Sequence, residues 1–201
     1  MASKRRAPLD RYDTPPWMVA ALLREVPEIG GKTLLDPCCG NSSMAWMMRS
    51  RFERIVLNDI DQNIPCESHR DLRVSTHLWT GCDPDWCVTN PPFSLTGRVI
   101  NQALQYCRVG VALLLRITAL EVCAGREIIS YDPPQRLIVL PRFRFRAHGN
   151  DSATVAWFIW WREKRPISGP PIVLVSRPDA KRLALQCGPA PDGFLLGKEA
   201  A

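Results

Sequence analysis

The chain has 201 residues, 46% of them hydrophobic and 23% charged, a globular mixture that excludes wholesale disorder and suits one domain with a short appendage. Its 26 Lys and Arg against 20 Asp and Glu leave a net charge of +6, which permits a polyanionic partner and equally describes a protein that is simply basic. The longest apolar run, Val109 to Leu115, is interrupted by Gly110 and closed by Arg116, which excludes a membrane span of roughly 18 residues, and the basic start leads to Asp10-Arg11-Tyr12-Asp13 and not to the apolar core of a signal peptide.

Residues 1–11 read as a basic tail. Thr14 is then expected to cap a helix with Pro15 or Pro16 in its first turn and an apolar face of Trp17, Ala20, Ala21 and Leu22, stopping before Pro27. Thr33 to Asp36 is a short strand that breaks at Pro37-Cys38-Cys39-Gly40-Asn41, followed by a helix over 42–50. Arg54 to Asp59 reads as a second strand ending in an acid. The spacing of about 20 residues between the two strand-end acids is the cadence of a nucleotide-binding α/β unit.

Farther on, Arg70-Asp71-Leu72 is expected to end a third short strand, and Trp86 to Thr89 forms a fourth, stopped by Asn90-Pro91-Pro92-Phe93. A helix over 96–107, a buried strand Gly110 to Arg116, a helix over 120–130 and a strand Leu137 to Leu140 follow. Val155 to Trp161 is too uniformly apolar for a surface edge. The Pro-, Gly- and Arg-rich stretch 162–201 reads as a C-terminal extension of a domain over 12–161. The expected fold class is α/β.

Eight cysteines occur with no C-x-x-C pair, and His69, His77 and His148 stand at no ligand spacing to them. They are read as reduced, mostly buried thiols, with no metal.

Two loops carry chemistry. The first, Asp36-Pro37-Cys38-Cys39-Gly40-Asn41-Ser42-Ser43, joins a strand-end acid to a glycine turn and a helix start. It reads either as a plain structural turn or as a ligand pocket in which Asp36 faces a positive group and Asp59 holds paired hydroxyls. It lacks the G-x-G-x-x-G pattern, which disfavours a dinucleotide. The second is Asn90-Pro91-Pro92-Phe93. The two prolines remove N–H donors and leave carbonyl acceptors, the Asn90 amide adds an oxygen, and Phe93 offers a flat face. Such a group would hold an –NH2 on a planar molecule; alternatively it is a proline-rich turn with a capping asparagine.

Together, Asp36-Pro37-Cys38-Cys39-Gly40, Asn58-Asp59-Ile60 and Asn90-Pro91-Pro92-Phe93 resemble the cofactor and catalytic motifs of S-adenosylmethionine (SAM)-dependent amino-methyltransferases. The nearest resemblance is to the small orphan adenine-N6 DNA methyltransferases of phages and prophages. Tyr12-Asp13-Thr14-Pro15 resembles their N-terminal motif, and Leu113 to Arg116, Leu140-Pro141-Arg142-Phe143 and Ala156 to Trp160 also look like members of this group. The resemblance covers 12–161 and departs at Ser42, where the family carries a second glycine.

It implies a Rossmann-like class I fold, a mostly parallel sheet with helices on both faces, acting in a bacterial host's cytoplasm. It places SAM against Tyr12, Thr14, Pro15, Asp36, Pro37, Cys38, Gly40, Asp59, Ile60 and Asn90, with Asp71 on the cofactor adenine in preference to Asp83 or Asp85. It makes Asn90, Pro91, Pro92 and Phe93 catalytic, by direct transfer to a flipped adenine. Trp17 and Trp46 read either as walls of the pocket or, by preference, as core packing. Arg116, Arg142, Arg144 and Arg146 are the candidate nucleic-acid contacts. The alternation Arg142-Phe143-Arg144-Phe145-Arg146 reads equally as a phosphate-facing stripe or as a half-buried strand. The competing functions are a glutamine-N5 protein methyltransferase, an RNA adenine methyltransferase and a non-catalytic binding subunit. The partner is expected to be DNA, and sequence specificity is expected to be low, or to come from short loops such as 117–136, or from an oligomer or partner.

Overall fold

The computed structural model describes residues 12–121, 129–144, 152–163 and 169–188. Alternating side chains build two cores on one sheet. In the strand Val155–Trp161, Val155, Trp157, Ile159 and Trp161 enter one core, while Ala156, Phe158 and Trp160 enter the other. A strand buried on both faces has no solvated side to alternate toward, hence its continuous apolar sequence.

The strands are β1 (Gly31–Asp36), β2 (Phe52–Leu57), β3 (Trp86–Thr89), β4 (Gly110–Arg116), β5 (Arg136–Val139), β6 (Phe143–Arg144), β7 (Ser152–Ala153), β8 (Val155–Trp161) and β9 (Ile172–Leu174). Seven of them form a sheet in the order β2-β1-β3-β4-β8-β5-β9, and β6 pairs with β7. β2, β1, β3 and β4 run parallel, as do β5 and β9. Only β8, antiparallel to both β4 and β5, opposes the rest of the sheet. Gly110 begins β4 because a Cβ there would lie 2.5 Å from the buried Trp86 ring.

Helices α1 (Pro16–Glu25), α2 (Ser43–Met48) and α5 (Arg177–Cys187) cover one face through Met18, Leu22, Met44, Met48 and Leu183. Helices α3 (His77–Cys82) and α4 (Thr96–Tyr106) cover the other through Trp79, Val99, Ile100 and Ala103. The Trp157 indole N–H donates to the Met18 carbonyl at 2.8 Å, which ties β8 to α1. No helix among the described residues is long and apolar enough to cross a membrane.

Several expectations need correction. Thr14 does not cap α1; Pro15 takes the cap position without a side-chain bond, because the Thr14 hydroxyl is engaged by Asn90. Arg70-Asp71-Leu72 is not a strand. The Asn58 side chain makes the pairings a strand would make there: its Nδ2 donates to the Pro37 and Arg70 carbonyls, and its Oδ1 accepts from the Arg70 N–H and the Ser68 hydroxyl. A single bridge, Asn58 to Ser68, is all the ladder that remains.

Of the expected helix 120–130, residues 122–128 lie outside the described residues, residues 129–131 are helical, and Leu120 belongs to the short 3-10 turn Ile117–Leu120. Within 162–201 the chain adds β9 to the sheet edge and lays α5 on the α1 side, elements the sequence reading does not assign.

Candidate active site

All four parallel strands β1 to β4 end at the same edge, and the chain order places the crevice where β1 and β3 lead off in opposite directions across the sheet. The loops after β1, β2 and β3 meet there around a cavity of about 230 Å³. Its walls include Tyr12, Pro37, Cys38, Asp59, Ile60, Asp71, Asn90 and Pro92 from the expected set. They also include residues the sequence reading did not single out, notably Leu72, Arg70, Arg73 and Leu95. The apolar Ile60 and Leu72 suit the faces of a planar ring. No local pattern marks Leu72, because its loop is irregular and only the fold turns it toward the cavity.

The first loop is held by its own acids. Gly40 has φ 51° and Ser42 φ 60°. The Asp59 carboxylate accepts from the Gly40 N–H at 2.9 Å and from the Asp61 N–H at 3.0 Å. It thereby clamps the two loops on either side of the cavity. Ser42 stands in the left-handed region where the resembled family carries glycine, so the departure has a conformational cost. We expect Ser42→Gly to raise stability in urea by about 0.5–1 kcal/mol. A lower midpoint would show that the buried Ser42 side chain outweighs the backbone strain.

Asp36 ends β1, is fully buried and, against expectation, does not line the cavity. Its Oδ1 accepts from the Cys38 N–H at 3.3 Å, and Oδ2 has no hydrogen-bond partner. Burial pushes the carboxyl up to about 7, offset in part by the neighbouring Thr89 hydroxyl and the Cys38 N–H, while the Asp59 charge adds to the rise. The Thr89 hydroxyl does not complete a hydrogen bond, so we read its contribution as that of a nearby dipole. The unfolded chain ionises near 3.8 and the folded chain near 7, so between those values the folded state holds the extra proton. Stability contributed by this group therefore falls as pH rises from about 4 to 7 and is flat above. Asp36→Asn is expected to flatten that part of the profile in urea unfolding measured across this pH range. An unchanged slope would assign the proton uptake elsewhere.

The catalytic candidate Asn90 follows β3 directly. Its Nδ2 donates to the Tyr12 carbonyl at 2.9 Å and to the Thr14 hydroxyl at 3.1 Å. A carbonyl can only accept, which fixes the orientation of the amide. Both N–H donors are thus spent, and Oδ1 accepts no hydrogen bond among the described residues. The N-terminal segment is pinned further by the Ser43 hydroxyl, which donates to the Thr14 carbonyl at 2.6 Å. Pro15 precedes α1 and does not line the cavity. Pro91 is buried, and Pro92 opens the short 3-10 turn Phe93–Leu95. The Phe93 ring lies 5.6 Å from Tyr12, tilted by 34°, and carries the Arg116 guanidinium 4.2 Å from its centroid.

Asp71 lines the cavity from a turn, its carboxylate paired with Arg73 at 2.7 Å; that partner's hydrogen bonds hold it below the usual carboxylate range. The rival Asp85 precedes β3 at the opposite edge. It accepts from the Lys32 and Thr33 N–H groups and pairs with Arg108, as Asp83 also does. Neither Asp83 nor Asp85 lines the cavity.

Trp17 packs edge-on against Phe143 in the core, and Trp46 carries Arg49 over its ring; neither lines the cavity. Phe143 turns inward while Arg142 is exposed, and Arg146 lies outside the described residues, as do the surroundings of the Arg144 side chain. The described cysteines are free thiols, and burial raises Cys38 well above its ordinary value. Among the described residues no group of three His, Cys, Asp or Glu side chains could hold a metal.

No family profile and no curated protein sequence matches the chain. Solved structures do. A Listeria monocytogenes protein assigned to the class I SAM-dependent methyltransferases aligns with a TM-score of 0.55 and 14% identity over 84% of this chain and 67% of its own. The M protein of the type I restriction enzyme EcoKI aligns at 0.59 and 11% identity, over 76% of this chain and 44% of its own. A protein from Lactococcus lactis described as a hemolysin aligns at 0.55 and 12% identity, over 88% and 98%. The chain spans 44–52% of the type I modification subunits it matches. At such identities the likeness is one of fold, and the fold is Rossmann-like, that of the class I SAM-dependent methyltransferases.

Proposed function

We propose that this protein transfers a methyl group from SAM to the exocyclic amine of an adenine in DNA, within the cytoplasm of a bacterial cell and as the product of a phage or prophage. The observation that carries the reading is the Asn90 amide, whose donors are both held by Tyr12 and Thr14 and whose Oδ1 is left as an acceptor beside the cavity.

The cofactor fits the donor set. Asp59 would offer a carboxylate to a ribose diol, Ile60 and Leu72 an apolar lining to a purine, and Asp71 an acceptor to its amine. When bound, SAM supplies an electrophilic methyl on a cationic sulfur. The chain's own residues do the rest. The adenine amine is a weak nucleophile because its lone pair is delocalised into the ring. Accepting its two N–H bonds with Asn90 Oδ1 and the Pro91 carbonyl favours a pyramidal nitrogen with an available lone pair. The same acceptors stabilise the positive charge that develops on it. Prolines 91 and 92 bring no N–H to compete, and their fixed φ keeps the carbonyl in place. Phe93 provides the face on which an extrahelical base stacks. The net charge of +6 favours approach to a polyanion, with Arg142 exposed beside β6 as one phosphate contact.

Isotope-labelled SAM offered with unmethylated duplex DNA, single-stranded DNA, total RNA and protein extract tests this. Labelled N6-methyladenine in DNA is the expected product. Label in RNA or on glutamine would keep the acceptor chemistry and overturn the substrate. Cofactor bound with no label anywhere would favour a binding subunit.

A further inference from the structure

Arg116 ends β4 beside the Asn90 motif, where its neighbours leave it an anomalous cation. Among the described residues no carboxylate pairs with it, and its Nε is buried without a hydrogen-bond partner. Its guanidinium instead lies over the Phe93 ring, 4.2 Å from the centroid. A guanidinium is planar and about the thickness of a nucleobase, so at this separation it covers one face of the ring. Tyr12, 5.6 Å away, flanks the same ring. A face in van der Waals contact with one planar group has no room for a second.

We propose that Arg116 is a placeholder for the target base: in the nucleic-acid-free protein it covers the Phe93 face, and it yields that face to the extrahelical adenine. The proposal rests on the methyl-transfer reading above. Cation–π contact and base–aromatic stacking are of similar strength, so the exchange is nearly balanced on the ring itself. What tips it is an anion, since no described residue gives Arg116 one. The base arrives with flanking phosphates, and a guanidinium leaving the ring finds there the charge-assisted partner that no described residue provides. The device shields one face of Phe93 between turnovers and couples its exposure to the arrival of a polyanion.

The test uses the full chain with S-adenosylhomocysteine filling the cofactor site, so that added adenosine reports on the base site alone. Adenosine brings no phosphate, so Arg116 obstructs it without compensation. Arg116→Ala is expected to bind adenosine several-fold more tightly by calorimetry, yet to bind unmethylated duplex DNA more weakly, with a salt slope shallower by about 1. Arg116→Lys, whose ammonium cannot lie flat on a ring, is expected to gain adenosine affinity while keeping the wild-type salt slope.

A residue serving only to contact phosphate would weaken DNA binding and leave adenosine unchanged. One serving only to support Phe93 would weaken both. Either result, in variants that retain the wild-type unfolding midpoint and a wild type that methylates DNA, overturns the placeholder and spares the transfer reading. A wild type that labels no nucleic acid overturns both.

Discussion

Replacing Asn90 by alanine is expected to slow methyl transfer by roughly 10²–10³-fold, the cost of deleting one preplaced hydrogen-bonding group at a centre of developing charge. The effect should fall on the chemical step, read in a single turnover with labelled SAM at saturation, while cofactor affinity by calorimetry stays within a few-fold. Undiminished turnover would remove Asn90 from the mechanism. The structure adds a complication, because Asn90 also holds the N-terminal segment through Tyr12 and Thr14. Thr14→Val separates the two roles. It deletes the hydroxyl acceptor and leaves both the Asn90 amide and the Tyr12 carbonyl in place, so a small loss of rate is expected. A loss as large as that of Asn90→Ala would mean that positioning the amide, and not its oxygen, sets the rate.

Asp59→Ala is expected to weaken SAM binding by roughly 10–100-fold, since charged hydrogen bonds contribute about 1.5–3 kcal/mol each. Two causes add. The carboxylate would no longer accept from ribose hydroxyls, and the Gly40 and Asp61 N–H groups it now holds would be released, loosening both loops. Asp59→Asn keeps the shape but turns an N–H donor toward one of those N–H groups, so an intermediate loss is expected. An unchanged dissociation constant in Asp59→Ala would take the residue out of the site.

The elements that were legible in the sequence share a property: their residues specify them locally. β4 and β8 are continuous apolar runs between turn signals, and both form as read. The α4 stripe of Val99, Ile100, Ala103 and Leu104 is buried as its spacing requires. Arg70 to Leu72 misled because a short segment carrying an acid after a βαβ unit invites another strand end. The deciding partner was a single asparagine side chain at position 58. β9 and α5 were missed because a stretch rich in Pro, Gly and Arg carries little local signal. Their partners, β5 and α1, are distant in sequence.

The candidate site divides in the same way. Asp36, Asp59 and Asn90 were legible because each ends or follows a strand, and a parallel sheet brings such ends to one edge. Asp71 was preferred to Asp85 in the sequence as a strand-end acid, yet it reaches the cavity from an irregular loop while Asp85 stands at the opposite edge.

By itself, the sequence determined the α/β class, the strands that carry the motifs, and the residue types at the cavity, since periodicity and turn chemistry act over a few residues. Only the tertiary structure decided the orientation of the Asn90 amide, the burial of Asp36 and the seating of Arg116 on Phe93. Asn90 and Tyr12 are 78 residues apart, and Arg116 and Phe93 meet only because β3 and β4 lie side by side. Such contacts depend on how the chain packs back on itself, which no local pattern of residues encodes.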